Sequence, residues 1–98
     1  MQASRRTVFE FRLYVAGGTE NSAAALVNLT NLCRAHLPDI HRIEVVDVFR
    51  NPKRALADRI FMTPALVKVG PLPVCTIVGT LSCTELVLQT LGLEPVPT

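Results

Sequence analysis

Residues 59–82 read RIFMTPALVKVGPLPVCTIVGTLS. Two runs rich in β-branched residues, ALVKV (65–69) and VCTIV (74–78), flank GPLP (70–73), the composition of two short strands joined by a turn. An antiparallel hairpin is expected there. Pro64 stands at the mouth of the first run. Proline donates no ladder hydrogen bond and is confined in sheets to edges, bulges and first residues, so its position marks where this strand begins. The chain enters either through a cis Thr63-Pro64 bond, which reverses it sharply, or through an ordinary trans proline at a strand start.

Working back from the hairpin, Asn51-Pro52 suits a helix N-cap followed by proline at the first helical position, and PKRALADRIF (52–61) reads as a short helix. HRIEVVDVF (41–49) is β-branched on both faces and reads as an interior strand. TVFEFRLYV (7–15) alternates Phe9, Phe11, Leu13 and Val15 with Glu10, Arg12 and Tyr14, a strand with one buried face. Between them, two glycines make a turn and Thr19, Asn21 and Ser22 offer capping side chains. A helix follows with Leu26, Leu29, Cys33 and Leu37 as its apolar stripe, ending near Pro38. Beyond the hairpin, Ser82 and Glu85 have capping-box spacing and Gly92 suits a C-terminal cap, so SCTELVLQTLGL (82–93) reads as the last helix. The order β-α-β-α-β-β-α is an α/β single domain that resembles the thioredoxin fold, in which the corresponding strand is entered through a cis-proline. That resemblance favours the cis form of Thr63-Pro64.

The 98 residues suffice for one core, here assigned to 7–93 with short tails at 1–6 and 94–98. With 49% apolar and 18% charged residues the chain has the composition of a folded domain. No apolar run approaches the ~20 residues of a spanning helix and MQASRR has no signal-peptide core, so a cytoplasmic protein without membrane association is expected. A net charge of +2 gives no bulk argument for nucleic acid, and few aromatics accompany the basic residues.

Thiol chemistry on this fold requires a cysteine at the turn into the first helix, where the dipole lowers its pKa. That turn reads VAGGTENS and has none. Cys33 falls on a helix stripe and Cys75 in a strand, positions of inert packing; Cys83 alone stands at a helix start. His36 and His41 have no ligand partner at metal spacing, and no nucleophile, base and orienter set is present. No enzyme activity, cofactor or metal is expected. What remains is a surface: Arg50, Lys53, Arg54 and Arg59 cluster on or beside the second helix and Lys68 lies on the next strand. They make either a solvated face or a docking patch for an acidic protein.

FRLYVAGGTENSAAAL (11–26), VVDVFRNPKRALADRIFMTPALVKVGPLPV (45–74) and IVGTLS (77–82) together resemble the KaiB family of circadian-clock proteins, and also the KaiB-like sensory domain at the front of a clock histidine kinase. No kinase module follows Thr98, so a free-standing protein is expected. The resemblance implies a non-enzymatic protein that binds a hexameric KaiC-type ATPase and modulates its phosphorylation cycle. It also implies a homo-oligomer, dimer or tetramer, and a metamorphic chain whose ground-state fold rearranges the C-terminal half, with Thr63, Pro64, Pro71 and Pro73 in the segment that switches. This chain departs from the family pattern at Pro71-Leu72-Pro73 (usually three prolines), Cys75-Thr76 (commonly a basic pair), Gly79-Thr80 (often Gly-Asp) and Thr90 (a glycine). Threonine is a better helix former than glycine, which favours the thioredoxin-like state. The departures imply a homologue outside the standard oscillator, with a divergent KaiC as partner and stress adaptation as an alternative output. Two further readings stay open: a thioredoxin-like thiol protein using Cys83, and an oligomeric scaffold with no ATPase partner.

Overall fold

The computed structural model describes residues 7–93; the expected tails at 1–6 and 94–98 lie outside the described residues. The chain runs β1 (Phe9–Val15), α1 (Glu20–His36), β2 (His41–Asp47), α2 (Pro52–Ala57), β3 (Ala65–Gly70), β4 (Cys75–Val78) and α3 (Thr84–Leu91). This is the order expected from the sequence. The four strands form one sheet in the order β2-β1-β3-β4. β1 pairs β2 in parallel from Phe9↔His41 to Val15↔Asp47. It pairs β3 antiparallel, and β3 and β4 form the antiparallel hairpin from Ala65↔Val78 to Lys68↔Cys75. Thr63-Pro64 is cis, as the thioredoxin resemblance implied, and so are Gly70-Pro71 and Leu72-Pro73.

Each face of the sheet has its own core. Phe11, Leu13 and Leu66 pack with Ala25, Leu29, Leu32 and Cys33 of α1 and with Val87, Leu88 and Leu91 of α3. On the opposite face Tyr14, Val46, Ala65 and Val67 are covered by Ala55 of α2. α1 starts where Thr19 Oγ1 accepts the Ser22 N–H, with Glu20 in the first turn and Arg34 in the last, each charge complementing the helix dipole. Ser22 Oγ also accepts from the Ala16 amide, tying the turn to the end of β1.

Several expectations need correction. β2 is an edge strand, not an interior one: Val45 is 46% exposed, and the β-branched run reflects strand propensity more than burial on two faces. Tyr14 is fully buried instead of facing water with Glu10 and Arg12, because α2 lies over it. Leu26 is exposed and its place on the buried stripe of α1 is taken by Ala25 and Leu32. α2 ends at Ala57, four residues before the expected Phe61, in a Schellman-type stop: Arg59 and Ile60 donate to the Leu56 and Ala55 carbonyls. Arg59 itself occupies the left-handed region usually given to glycine, at φ 57°. Ser82 does not cap α3; Cys83 holds the N-cap position, without a side-chain cap bond. Gly92, at φ 75°, ends α3 as expected.

Candidate docking surface

α2 is only six residues long, about 9 Å, and buries a single side chain, Ala55, too little to hold a helix on a sheet by apolar contact alone. Polar side chains do the rest. The Tyr14 hydroxyl rises through the β1 face and donates to Asp58 Oδ2 at 2.5 Å, just past the helix end. Arg12, two residues back on the same face, donates to the same Oδ2 at 2.8 Å and to Glu44 Oε1 at 3.2 Å. Arg54 closes the chain with a bidentate fork on Glu44, at 2.7 and 2.8 Å. Arg12, Glu44, Arg54, Asp58 and Tyr14 thus clasp α2 to β1 and β2. Such charge-assisted, bidentate bonds are the strong class of hydrogen bond.

The clasp sets the protonation states of its members. Asp58 lies below the usual carboxylate range because Tyr14 and Arg12 donate to it, against the opposing effect of burial. Glu44 is lowered to about 2 by the hydrogen bonds from Arg54 and Arg12. Burial, and then the bond to Asp58, pushes the Tyr14 hydroxyl up. For the two carboxylates the folded pKa is below the unfolded one, so their stabilisation is present above the ordinary carboxylate range and is lost as pH falls toward 2. For Tyr14 the folded pKa is the higher, so its stabilisation is present below about pH 10 and is lost above that. Thermal melts should therefore show a stability plateau from about pH 5 to 9 with a fall on each side, and Tyr14→Phe should flatten the alkaline fall.

The residues expected to bind a partner separate into three groups. Arg50 and Lys53 are exposed and line, with Asn51, Pro52 and Arg54, a shallow depression of about 290 Å³ at the start of α2. Arg59 is exposed at the other end of the same short helix, and the described residues show no ion pair for any of Arg50, Lys53 and Arg59. Arg54 points into the clasp and spends its charge on Glu44. Lys68 contradicts the expectation of one continuous basic face. It is 5% exposed, sharing with Leu66 the strand face that packs toward α1 and α3, so it contributes no charge to the α2 surface.

Sequence reasoning overlooked an apolar companion to this charge. Ala16, Val48, Phe49, Ile60, Phe61, Met62 and Thr63 surround a second depression of about 190 Å³ at the carboxyl ends of β1 and β2. Phe49, Phe61 and Met62 are 75%, 81% and 66% exposed, large apolar side chains left in water beside Arg50. The signal lay in FRNP and IFM, aromatic residues immediately outside strand and helix, where no core position is available to them.

The thiols do not converge. Cys33 is buried and its thiol is raised to about 11 by burial, which keeps it protonated and unreactive. Cys75 is half-buried in β4 and Cys83 exposed at the start of α3, and the turn into α1 presents hydroxyls and backbone amides instead of sulfur. His41 pairs its Nδ1 with the Leu37 carbonyl oxygen at 2.7 Å. Among the described residues no cluster of three or more His, Cys, Asp or Glu side chains is arranged to hold a metal ion, and no helix is long and apolar enough to cross a membrane.

The KaiB domain profile matches residues 12–93, the stretch that carries the clasp, the α2 surface and the hairpin. The chain belongs to the KaiB family. It is similar to the circadian clock oscillator protein KaiB of Synechococcus elongatus, with 44% identity over 91 residues, covering 93% of this chain and 87% of that one. The circadian clock protein KaiB3 of Synechocystis sp. is 41% identical over 86 residues, covering 88% and 82%. Among solved structures, the N-terminal domain of Synechococcus elongatus SasA superposes with a TM-score of 0.75 at 20% identity, covering 100% and 96%. Mitochondrial thioredoxin 3 of Saccharomyces cerevisiae does so with 0.70 at 19% identity, covering 90% and 81%. These two likenesses establish the thioredoxin-like fold. The KaiB-family chain keeps that fold with a turn before α1 that has no cysteine.

Proposed function

We propose that this KaiB-family protein is a non-enzymatic regulator that docks on a KaiC-type hexameric ATPase and modulates its phosphorylation cycle. The observation that carries the reading is the family match over residues 12–93, joined to 44% identity with a clock oscillator protein. The surface at α2 supports it. Exposed aromatics supply contact area at low entropic cost, and exposed cations beside them steer an acidic partner and fix its register. The docking residues proposed here are Arg50, Lys53 and Arg59 with Phe49 and Phe61, while Arg12, Arg54 and Asp58 hold the helix that presents them. The thiol reading is less well supported, since a reactive cysteine needs an electropositive, partly exposed setting and the sequence from Val69 to Thr84 around Cys83 carries no Lys, Arg or His. The test is to follow phosphorylation of a KaiC-type ATPase with and without this protein. A changed time course that requires stoichiometric protein supports the reading; an unaltered one at saturating concentration opposes it.

The metamorphic, oligomeric ground state implied by the family resemblance belongs to the same proposal. An amide spectrum of the free protein whose peaks are replaced by a second set on addition of the ATPase supports it. One spectrum with the same strand pairing, free and bound, opposes it.

A further inference from the structure

Among the described residues Lys68 is the only charged side chain that the fold buries. At 5% exposure it is in a state that lysine almost never adopts without a partner, yet no ion pair or hydrogen bond of its ammonium group is present among the described residues. The register of the sheet fixes its neighbours, Phe11 of β1 on one side and Cys75 of β4 on the other. Phe11 is apolar and 2% exposed. Cys75 is directly opposite Lys68 in the antiparallel hairpin, and such pairs share one face of the sheet with Cβ atoms about 4.5–5.5 Å apart. Here that is the face that packs toward α1 and α3. Cys75 is half-buried at the margin of that core, with Sγ 4.0 Å from the Thr90 carbonyl oxygen of α3. A thiol open to small molecules thus faces a buried cation that has no partner of its own. Neither other cysteine has this setting: Cys33 is closed off in the core, and Cys83 stands exposed at the end of an uncharged stretch.

We infer that Cys75 is a site of reversible oxidation by hydroperoxides, assisted by the ammonium group of Lys68 across the hairpin. Reactive cysteines sit in electropositive, partly exposed surroundings, which Lys68 and the half-buried position together provide. In the reaction Cys75 Sγ attacks one oxygen of hydrogen peroxide, the S–O bond forming as the O–O bond breaks. Sulfur loses two electrons and the peroxide gains them. The departing oxygen takes a proton from Lys68 and leaves as water, and the thiol proton restores the ammonium, so that thiol and hydrogen peroxide give sulfenic acid and water. The new oxygen on sulfur is an acceptor beside a buried donor that otherwise has none, which favours the sulfenic acid where it forms. A low-molecular-weight thiol returns it to cysteine through a mixed disulfide. Restricted access selects the oxidant by size, since a half-buried sulfur admits a peroxide more readily than a protein disulfide. The site lies on the opposite face of the sheet from α2, and its chemistry is independent of the ATPase reading.

The test is to treat the full chain with hydrogen peroxide in the presence of dimedone, which traps sulfenic acid, and to follow the adduct at each cysteine by peptide mass spectrometry. Cys75 should be labelled faster than Cys83, although Cys83 is the more exposed, and Cys33 least. Lys68→Met, which fills the buried site without a charge, should slow Cys75 at least about tenfold and leave Cys83 unchanged. Lys68→Arg should keep most of the rate. Far-ultraviolet circular dichroism reports that each variant is folded, and loosening of the hairpin would expose Cys75 and quicken its labelling, the opposite of the expected change. Wild-type labelling of Cys83 as fast as Cys75, or a folded Lys68→Met variant in which Cys75 reacts as fast as in wild type, would overturn the inference.

Discussion

Asp58→Ala should lower the melting temperature by roughly 10–20 °C at neutral pH, which corresponds to about 2–3 kcal/mol in a domain of this size. The substitution removes no apolar contact of the core. It withdraws the one oxygen that accepts from both Tyr14 and Arg12. Tyr14 is then a fully buried hydroxyl left with only a longer bond to the Arg54 carbonyl oxygen at 3.1 Å, and Arg12 a cation left with Glu44 alone. Losing the shorter of two acceptors of a buried hydroxyl, together with one carboxylate partner of Arg12, costs more than the net worth of a single bond. Asp58→Asn retains an acceptor for one of the two donors and should lose about half as much. The same variants should loosen α2, measurable as faster amide exchange at residues 52–60, because one buried alanine cannot hold a six-residue helix on the sheet. A melting temperature unchanged by Asp58→Ala would mean that the clasp contributes nothing net.

Binding to a KaiC-type ATPase should weaken about 10- to 100-fold in Phe61→Ala, the range of a single aromatic hot spot. Phe61 is 81% exposed, so the variant keeps its fold and the loss reads the interface alone. Reversing Arg50, Lys53 and Arg59 together to glutamate should weaken binding at least as much and reverse its salt dependence: wild-type affinity falls with added salt, whereas the variant's affinity rises as repulsion is screened. Arg54 is left out of this set because its charge belongs to Glu44, and reversing it would unfasten α2. Lys68→Glu is also uninformative about docking, since it alters a charged side chain that is buried and would act on the fold first.

Much of this architecture was legible in the sequence because it rests on local chemistry. The alternation in β1, the Thr19 turn, Asn51-Pro52, the GPLP turn and Gly92 each act within a few residues, and the structure follows them. What escaped was set by distant partners. Tyr14 alternates with the core residues of β1 and so reads as solvent-facing; its burial depends on a helix four tens of residues later that carries Asp58 to its hydroxyl. β2 reads as interior because β-branched residues suit any strand, while its place at the edge depends on β3 inserting on the other side of β1. Lys68 is the sharper lesson. Period-two counting from Leu66 already puts it on the core face, and composition alone placed it with the basic residues of α2. For the surface, the positions of the cations were readable but their pairing was not, so Arg54 was grouped with Arg50 and Lys53 although only the latter two remain unpaired among the described residues.

The most direct test of the central claim is a binding isotherm, by calorimetry, of this protein against a KaiC-type hexameric ATPase, run beside the Arg50→Glu, Lys53→Glu, Arg59→Glu triple variant. The account predicts saturable binding of the wild type and an affinity at least about tenfold lower for a folded triple variant. No detectable binding of the wild type, or equal affinity for both proteins, would contradict it.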